Sequence, residues 1–131
     1  MAQEKTSSEH LASHTFRIRT RLPGLNEFIN ANRTNRYMGA QMKRDAQDAI
    51  AWFIVSLPRI EHPVTIHFHW IDKTMRRDLD NISFAKKFIL DALVEQHKLK
   101  DDSPKFVRGF TDTFERGDED GVIVTITEVE E

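Results

Sequence analysis

The stretch RRDLDNISFAKKFILDALVEQHKLKDD, residues 76–102, decides how the rest of the chain is interpreted. Near its start lie two aspartates spaced i and i+2, Asp78 and Asp80. A run with the apolar periodicity of a helix follows, and a second acidic pair, Asp101 and Asp102, comes after it. One helix can join acids that are separated in the sequence, and carboxylates are the ligands that hard divalent cations prefer. The pattern therefore predicts a divalent-metal site.

If a single helix runs through this stretch, its geometry also predicts the directions of the charged side chains. On a wheel drawn at about 100° per residue from Asp80, the apolar residues fall in one arc. Lys87 and Asp91 return to within about 20° of Asp80, beside the buried face, whereas Lys86 points to the opposite margin, towards solvent. Two plainer explanations remain open: Asp80 and Asn81 cap the helix, and Lys87 only pairs with Asp91.

The flanking sequence predicts strands and one further long helix. The segments with alternating or β-rich composition are 14–22, 63–71, 105–115 and 122–130. An amphipathic helix is predicted over 40–56, and a hairpin-type connection over 117–121. The expected fold is α+β, a single domain over 14–131 in the order β-α-β-α-β-β, with a mixed sheet and packed helices. Residues 1–13 are polar without periodicity and are expected to form a disordered tail.

Composition sets the outer limits. The chain has 131 residues, which suits one domain, and it has no cysteine, so a disulfide framework is excluded. Its first residues lack the basic and apolar regions of a signal peptide, and no apolar run approaches the roughly 20 residues of a membrane helix. A cytoplasmic protein without a membrane partner is therefore expected.

The net charge of −2 conceals an asymmetry along the chain. Residues 14–60 carry eight Arg or Lys against three acids, whereas residues 101–131 carry three against ten. A basic first half suits contact with DNA phosphates while an acidic group elsewhere holds metal. Solvated faces of an ordinary surface are the alternative explanation.

The segment 25–39 is a short helix or loop rich in Asn and Arg, with Tyr37 available to stack on a base. A capping and turn segment accounts for the same composition. The cations predicted to contact DNA are Arg33, Arg36, Lys43, Arg44, Arg76, Arg77 and Lys86.

Four short segments together resemble one family. They are RDLDN at 77–81, LDAL at 90–93, KDDS at 100–103 and LPGLN at 22–26. This constellation resembles the RusA-type Holliday junction resolvases, many of which are carried by phages and prophages. The likeness extends over most of residues 16–126, and its specific part is the spacing of D-x-D-N, L-D-A-L and D-D.

The resemblance implies a homodimeric, Mg²⁺-dependent endonuclease, with Mn²⁺ as a substitute, that cuts four-way DNA junctions symmetrically. It implies metal ligands at Asp78, Asp80 and Asp102, with Asp101 as an accessory ligand. The chain departs from the family pattern at Phe84, where the family's lysine is expected. Counting back from the L-D-A-L segment indicates about three extra residues, which moves the catalytic lysine to Lys87.

Two other functions remain open. The displaced lysine is compatible with a module that binds branched DNA but has lost its chemistry. A nuclease with the same site chemistry can also act on flaps or other branched DNA.

Overall fold

The computed structural model describes residues 11–131, which form four strands and four helices. They are β1 (Ser13–Ile18), α1 (Leu25–Thr34), α2 (Arg36–Ile54), β2 (Val64–Asp72), α3 (Leu79–Ser83), α4 (Lys86–Glu95), β3 (Val107–Arg116) and β4 (Gly121–Glu128). The predicted α+β domain with a mixed sheet is confirmed. The helix predicted over 40–56 is α2, most of the segment 25–39 is the separate helix α1, and the helix predicted from Asp80 is divided into α3 and α4. Of the predicted tail, residues 1–10 lie outside the described residues, and Ser13 already belongs to β1.

The sheet has the strand order β1-β4-β2-β3. Strand β4 is antiparallel to both β1 and β2, whereas β3 is parallel to β2. The predicted hairpin at 117–121 is therefore wrong, because β3 and β4 lie on opposite sides of β2. The connection crosses the end of β2, where the Gly117 amide donates to the Asp72 carbonyl at 3.3 Å. The sequence of β4 suits the interior of the sheet, since Val122, Val124 and Ile126 are fully buried.

One hydrophobic core joins the sheet to the helices. It contains inward-facing side chains of the strands, such as Phe68 and Val124, and the apolar faces of α2 and α4, such as Ile50 and Phe88. None of the helices in the described part of the chain is long and apolar enough to cross a membrane.

The predicted continuous helix from Asp80 is also wrong, because a turn at Phe84 and Ala85 separates α3 from α4. Hydrogen bonds of the tighter i to i−3 type run through this turn, from the Lys87 amide to the Phe84 carbonyl and from the Phe88 amide to the Ala85 carbonyl, both at 3.0 Å. The turn lets Phe84 pack against Phe28 and Phe88, with ring centroids 5.6 and 5.5 Å away. The wheel angle between Asp80 and Lys87 does not apply across this break.

Candidate metal and nucleic-acid site

A buried ion pair fixes the loop that leads from β2 to the first acidic pair. Asp72 is 3% exposed, and its Oδ2 accepts from Nη2 and Nε of Arg77 at 2.7 and 3.2 Å. Its Oδ1 accepts from the amides of Thr74 and Met75 at 3.0 and 2.9 Å. Burial alone would raise the pKa of Asp72, but the bonds from Arg77 and the two amides outweigh it and lower the pKa to about 2. These bonds also hold Met75 in the left-handed region, at φ 53°.

Arg77 differs from the sequence prediction, which made it a DNA contact. Its side chain is 17% exposed and is turned inward, where Nη1 also donates to the Leu22 carbonyl at 3.3 Å and lies 3.7 Å from Glu27 Oε1. Glu27 in turn accepts from Arg21 and from the Gly24 amide at the start of α1. Arg77 therefore positions the acidic motif, while its neighbour Arg76 is exposed.

Two segments that carry the family resemblance are in direct contact. Asn81 is buried, and its Oδ1 accepts from the Asn26 amide at 2.9 Å. A Cβ on Gly24 would lie 2.5 Å from the same oxygen, so only glycine fits there without displacement. Asn81 thus satisfies an amide at the beginning of α1 rather than capping α3.

The first acidic pair has no structural partner in the described residues. Asp78 occupies the N-cap position of α3, but its side chain makes no capping hydrogen bond. Asp80 lies in the first turn of α3, and both residues are exposed. Neither carboxylate forms a hydrogen bond or ion pair within residues 11–131. Side-chain capping therefore does not account for these two acids.

The two members of the second acidic pair are in different environments. Asp101 Oδ1 accepts from the amide and the hydroxyl of Ser103 at 2.8 and 2.7 Å, which lowers the pKa of Asp101. Asp102 borders an open depression together with Lys43, Lys87 and Asp91. Asp101 therefore shapes the loop, whereas the Asp102 carboxylate forms no hydrogen bond or ion pair within residues 11–131 and is available to a ligand.

Lys87 belongs to a charge cluster between α2 and α4. Its Nζ lies 3.2 Å from Asp91 Oδ1, and Asp91 Oδ2 lies 3.4 Å from Lys43 Nζ. The plainer pairing of Lys87 with Asp91 is thus present, and it leaves the Lys87 side chain 58% exposed. Lys87 remains accessible to a phosphate at the depression that Asp102 borders.

Lys86 does not extend freely into solvent as expected. Its Nζ forms an ion pair of 2.7 Å with Asp112 Oδ2 on β3, and it lies 5.3 and 5.0 Å from the ring centroids of Phe68 and Phe110. Asp112 also accepts from Trp70 Nε1 at 2.8 Å. Lys86 is the first residue of α4, and the carboxylate of Asp112 on the edge strand β3 lies within reach of its ammonium group. Lys86 therefore links α4 to β3.

The other predicted DNA contacts lie on the surface. Arg33, Arg36, Arg44 and Arg76 are exposed, as is Lys43 despite its ion pair. Three cations that were not predicted as contacts line a second open depression beside Asp101: Lys100, Lys105 and Arg108. The sequence feature that could have identified these three cations is their position close to the second acidic pair.

The structure does not bring the predicted ligands Asp78, Asp80 and Asp102 into a preformed cluster. Within residues 11–131, no three His, Cys, Asp or Glu side chains are grouped so that they could hold a metal ion. Mg²⁺ usually keeps several waters and takes only one or two carboxylates together with phosphates of the substrate. The free carboxylates of Asp78 and Asp80 fit that donor set.

A scan of the sequence against models of known protein families finds no match, and neither does a search of curated proteins. The likeness to the RusA-type resolvases therefore rests on the residues of this chain alone.

Proposed function

We propose that this protein is a Mg²⁺-dependent endonuclease of branched DNA, with four-way junctions as its main substrate. The observation that carries the proposal is the division of roles within residues 77–81. Arg77 and Asn81 are turned inward and fix the segment, whereas Asp78 and Asp80 face solvent without a partner in the described residues. Free carboxylates on a firmly held backbone suit the binding of a hard cation.

The chemistry follows from the residues at hand. Mg²⁺, when bound, lowers the pKa of water and relieves the charge that develops on the phosphate, and Mn²⁺ takes the same oxygen ligands. Asp78 and Asp80 would hold the ion, with Asp102 as a further ligand. Lys87 supplies a positive charge that can hold the scissile phosphate or stabilise the leaving oxygen.

DNA would be held by the exposed cations of α1 and α2, namely Arg33, Arg36, Lys43 and Arg44. Symmetrical cutting of a four-way junction requires two sets of acids, and each chain carries one. We therefore propose a homodimer in which each protomer cuts one of two opposed strands. A cytoplasmic location, where DNA is accessible, fits this activity.

A second candidate is a module that binds branched DNA without cutting it. The specific observation in its favour is that Phe84, at the position where the resemblance implies a lysine, belongs to an aromatic cluster. The nearest substitute, Lys87, is paired with Asp91.

A cleavage assay separates these functions. Purified protein is incubated with a four-way junction, a flap and a linear duplex, with Mg²⁺ or with a chelator, and binding is measured in the chelated samples. Asp80→Asn should abolish cleavage but retain or strengthen binding, since repulsion between the carboxylate and phosphate falls. Asp48→Asn, at an exposed acid of α2, is the matched control and should cut normally.

Each outcome selects one function. Full cleavage by Asp80→Asn would refute the proposed site. If the unmodified protein binds the junction but shows no Mg²⁺-dependent cleavage, the binding module is supported. If it cleaves flaps faster than four-way junctions, flaps are the main substrate.

A further inference from the structure

The corner between α1 and α2 displays an aromatic side chain to solvent. Tyr37, in the first turn of α2, is 80% exposed, and Met38 beside it is 48% exposed. Arg33 in the last turn of α1 and Arg36 at the start of α2 are exposed as well. Within residues 11–131, neither arginine forms a hydrogen bond or an ion pair. The corner thus combines an uncovered ring with two cations that are available to a ligand.

The backbone of this corner is held by short-range contacts. Asn35 is the one residue between the two helices: its amide donates to the Ala31 carbonyl at 3.2 Å, and its side chain accepts from the Met38 amide at 2.9 Å. Gly39 packs so closely on Asn32 that a Cβ would overlap the Asn32 side-chain oxygen. Tyr37 is therefore presented by a fixed turn, which reduces the ordering cost when its ring binds a partner.

We infer that Tyr37 stacks on an unpaired or splayed DNA base at a branch point, with Arg33 and Arg36 contacting the phosphates on either side, a role that depends on the proposed DNA-binding function. Aromatic side chains that bind single-stranded nucleic acid provide such stacking surfaces next to positive charge. A base inside a continuous duplex is already stacked on its neighbours, so the contact favours junctions and single strands over linear duplex.

A second exposed aromatic residue provides a control for the effect of ring exposure alone. Trp52 is 77% exposed on the same helix, α2. The residues one turn away from it are Asp48, Ala49, Val55 and Ser56, none of which is a cation. If exposure of a ring alone produced DNA affinity, Trp52 would contribute as much as Tyr37. Base stacking supported by adjacent arginines predicts a contribution from Tyr37 only.

The experiment measures binding in a chelator, so that cleavage does not interfere. The unmodified protein and the variants Tyr37→Ala, Tyr37→Phe and Trp52→Ala are titrated against a four-way junction, a single strand and a linear duplex at one salt concentration. A second junction carries 2-aminopurine, a fluorescent base that is quenched on stacking, at the branch point. Because both side chains are exposed, thermal unfolding should be the same in all variants.

Tyr37→Ala should weaken binding to the junction and the single strand by about tenfold. It should also abolish the quenching of 2-aminopurine, with a smaller effect on the duplex. Tyr37→Phe and Trp52→Ala should behave like the unmodified protein. Equal junction affinity and quenching for Tyr37→Ala would overturn the inference while leaving the proposed nuclease intact. An equal loss in Trp52→Ala would also overturn it, and failure of the unmodified protein to bind DNA would refute both proposals.

Discussion

Replacement of Arg77 by alanine tests whether this arginine positions the acidic motif or contacts DNA. The change removes two hydrogen bonds to Asp72 Oδ2, of 2.7 and 3.2 Å, and one of 3.3 Å to the Leu22 carbonyl. Asp72 keeps its bonds from the Thr74 and Met75 amides but loses its cation. A buried carboxylate without its counter-charge is costly, so we expect the folded state to be destabilised.

The size of the effect follows from the structure. The pKa of Asp72 is lowered from 3.8 to about 2. One pKa unit corresponds to about 1.4 kcal/mol. Compared with the unfolded chain, the folded state therefore favours the ionised form of Asp72 over the protonated form by roughly 2 kcal/mol. Breaking a buried pair by removing one partner typically costs about 3–5 kcal/mol. The Arg77 side chain is 17% exposed, so we expect Arg77→Ala to lower the free energy of unfolding by about 3 kcal/mol, near the lower limit.

The effect should depend on pH in a defined direction. The pKa of Asp72 is lower in the folded state than in the unfolded chain, so the contribution of ionised Asp72 to stability is fully present above about pH 4. As the pH falls from about 4 to about 2, the unfolded chain takes up the proton first and the contribution is lost. The difference in stability between the unmodified protein and Arg77→Ala should therefore narrow over this range.

Urea unfolding provides the measurement, with the fluorescence of buried Trp70 as the reporter. Arg76→Ala is the matched control, because Arg76 is adjacent and exposed, and it should change stability by less than about 0.5 kcal/mol. If Arg77→Ala is as stable as Arg76→Ala and only loses DNA affinity, the positioning role is refuted and the original prediction of a DNA contact stands.

Two further predictions test the packing of the motif and the choice of lysine. Gly24→Ala places a Cβ 2.5 Å from Asn81 Oδ1 and should lower the free energy of unfolding in urea by about 1–3 kcal/mol. Gly109→Ala is the control, because a Cβ there meets no atom within 4 Å, and its stability should be nearly unchanged. Equal stability of the two variants would contradict the close approach of Gly24 to Asn81. Lys87→Ala should slow single-turnover cleavage by about a hundredfold or more without loss of stability. Lys86→Ala removes an ion pair and ring contacts and should lower stability by about 1–2 kcal/mol, while cleavage is retained. If Lys86→Ala abolishes cleavage and Lys87→Ala does not, the catalytic lysine is Lys86.

Local patterns were sufficient for much of the fold. Alternation of apolar residues indicated β2 within one residue of its observed bounds, Val64–Asp72, and the periodicity of α2 was recognised although the helix begins earlier, at Arg36. The acidic pairs were also recognisable, because their spacing is a property of neighbouring residues. These features depend on contacts within one element, which the sequence encodes directly.

Only the tertiary structure distinguished between adjacent residues of the same type. Arg77 is turned inward because the buried Asp72, five positions earlier, and the Leu22 carbonyl, 55 positions earlier, both accept its hydrogen bonds, whereas Arg76 is exposed. Lys86 differs from Lys87 because Asp112, 26 positions later, lies beside it on the edge strand. The sheet order and the break between α3 and α4 likewise arise from partners that are distant in the sequence. The sequence by itself thus indicated the four strands, helix α2 and the acidic motif, whereas tertiary contacts decided which charges support the fold and which remain free to act.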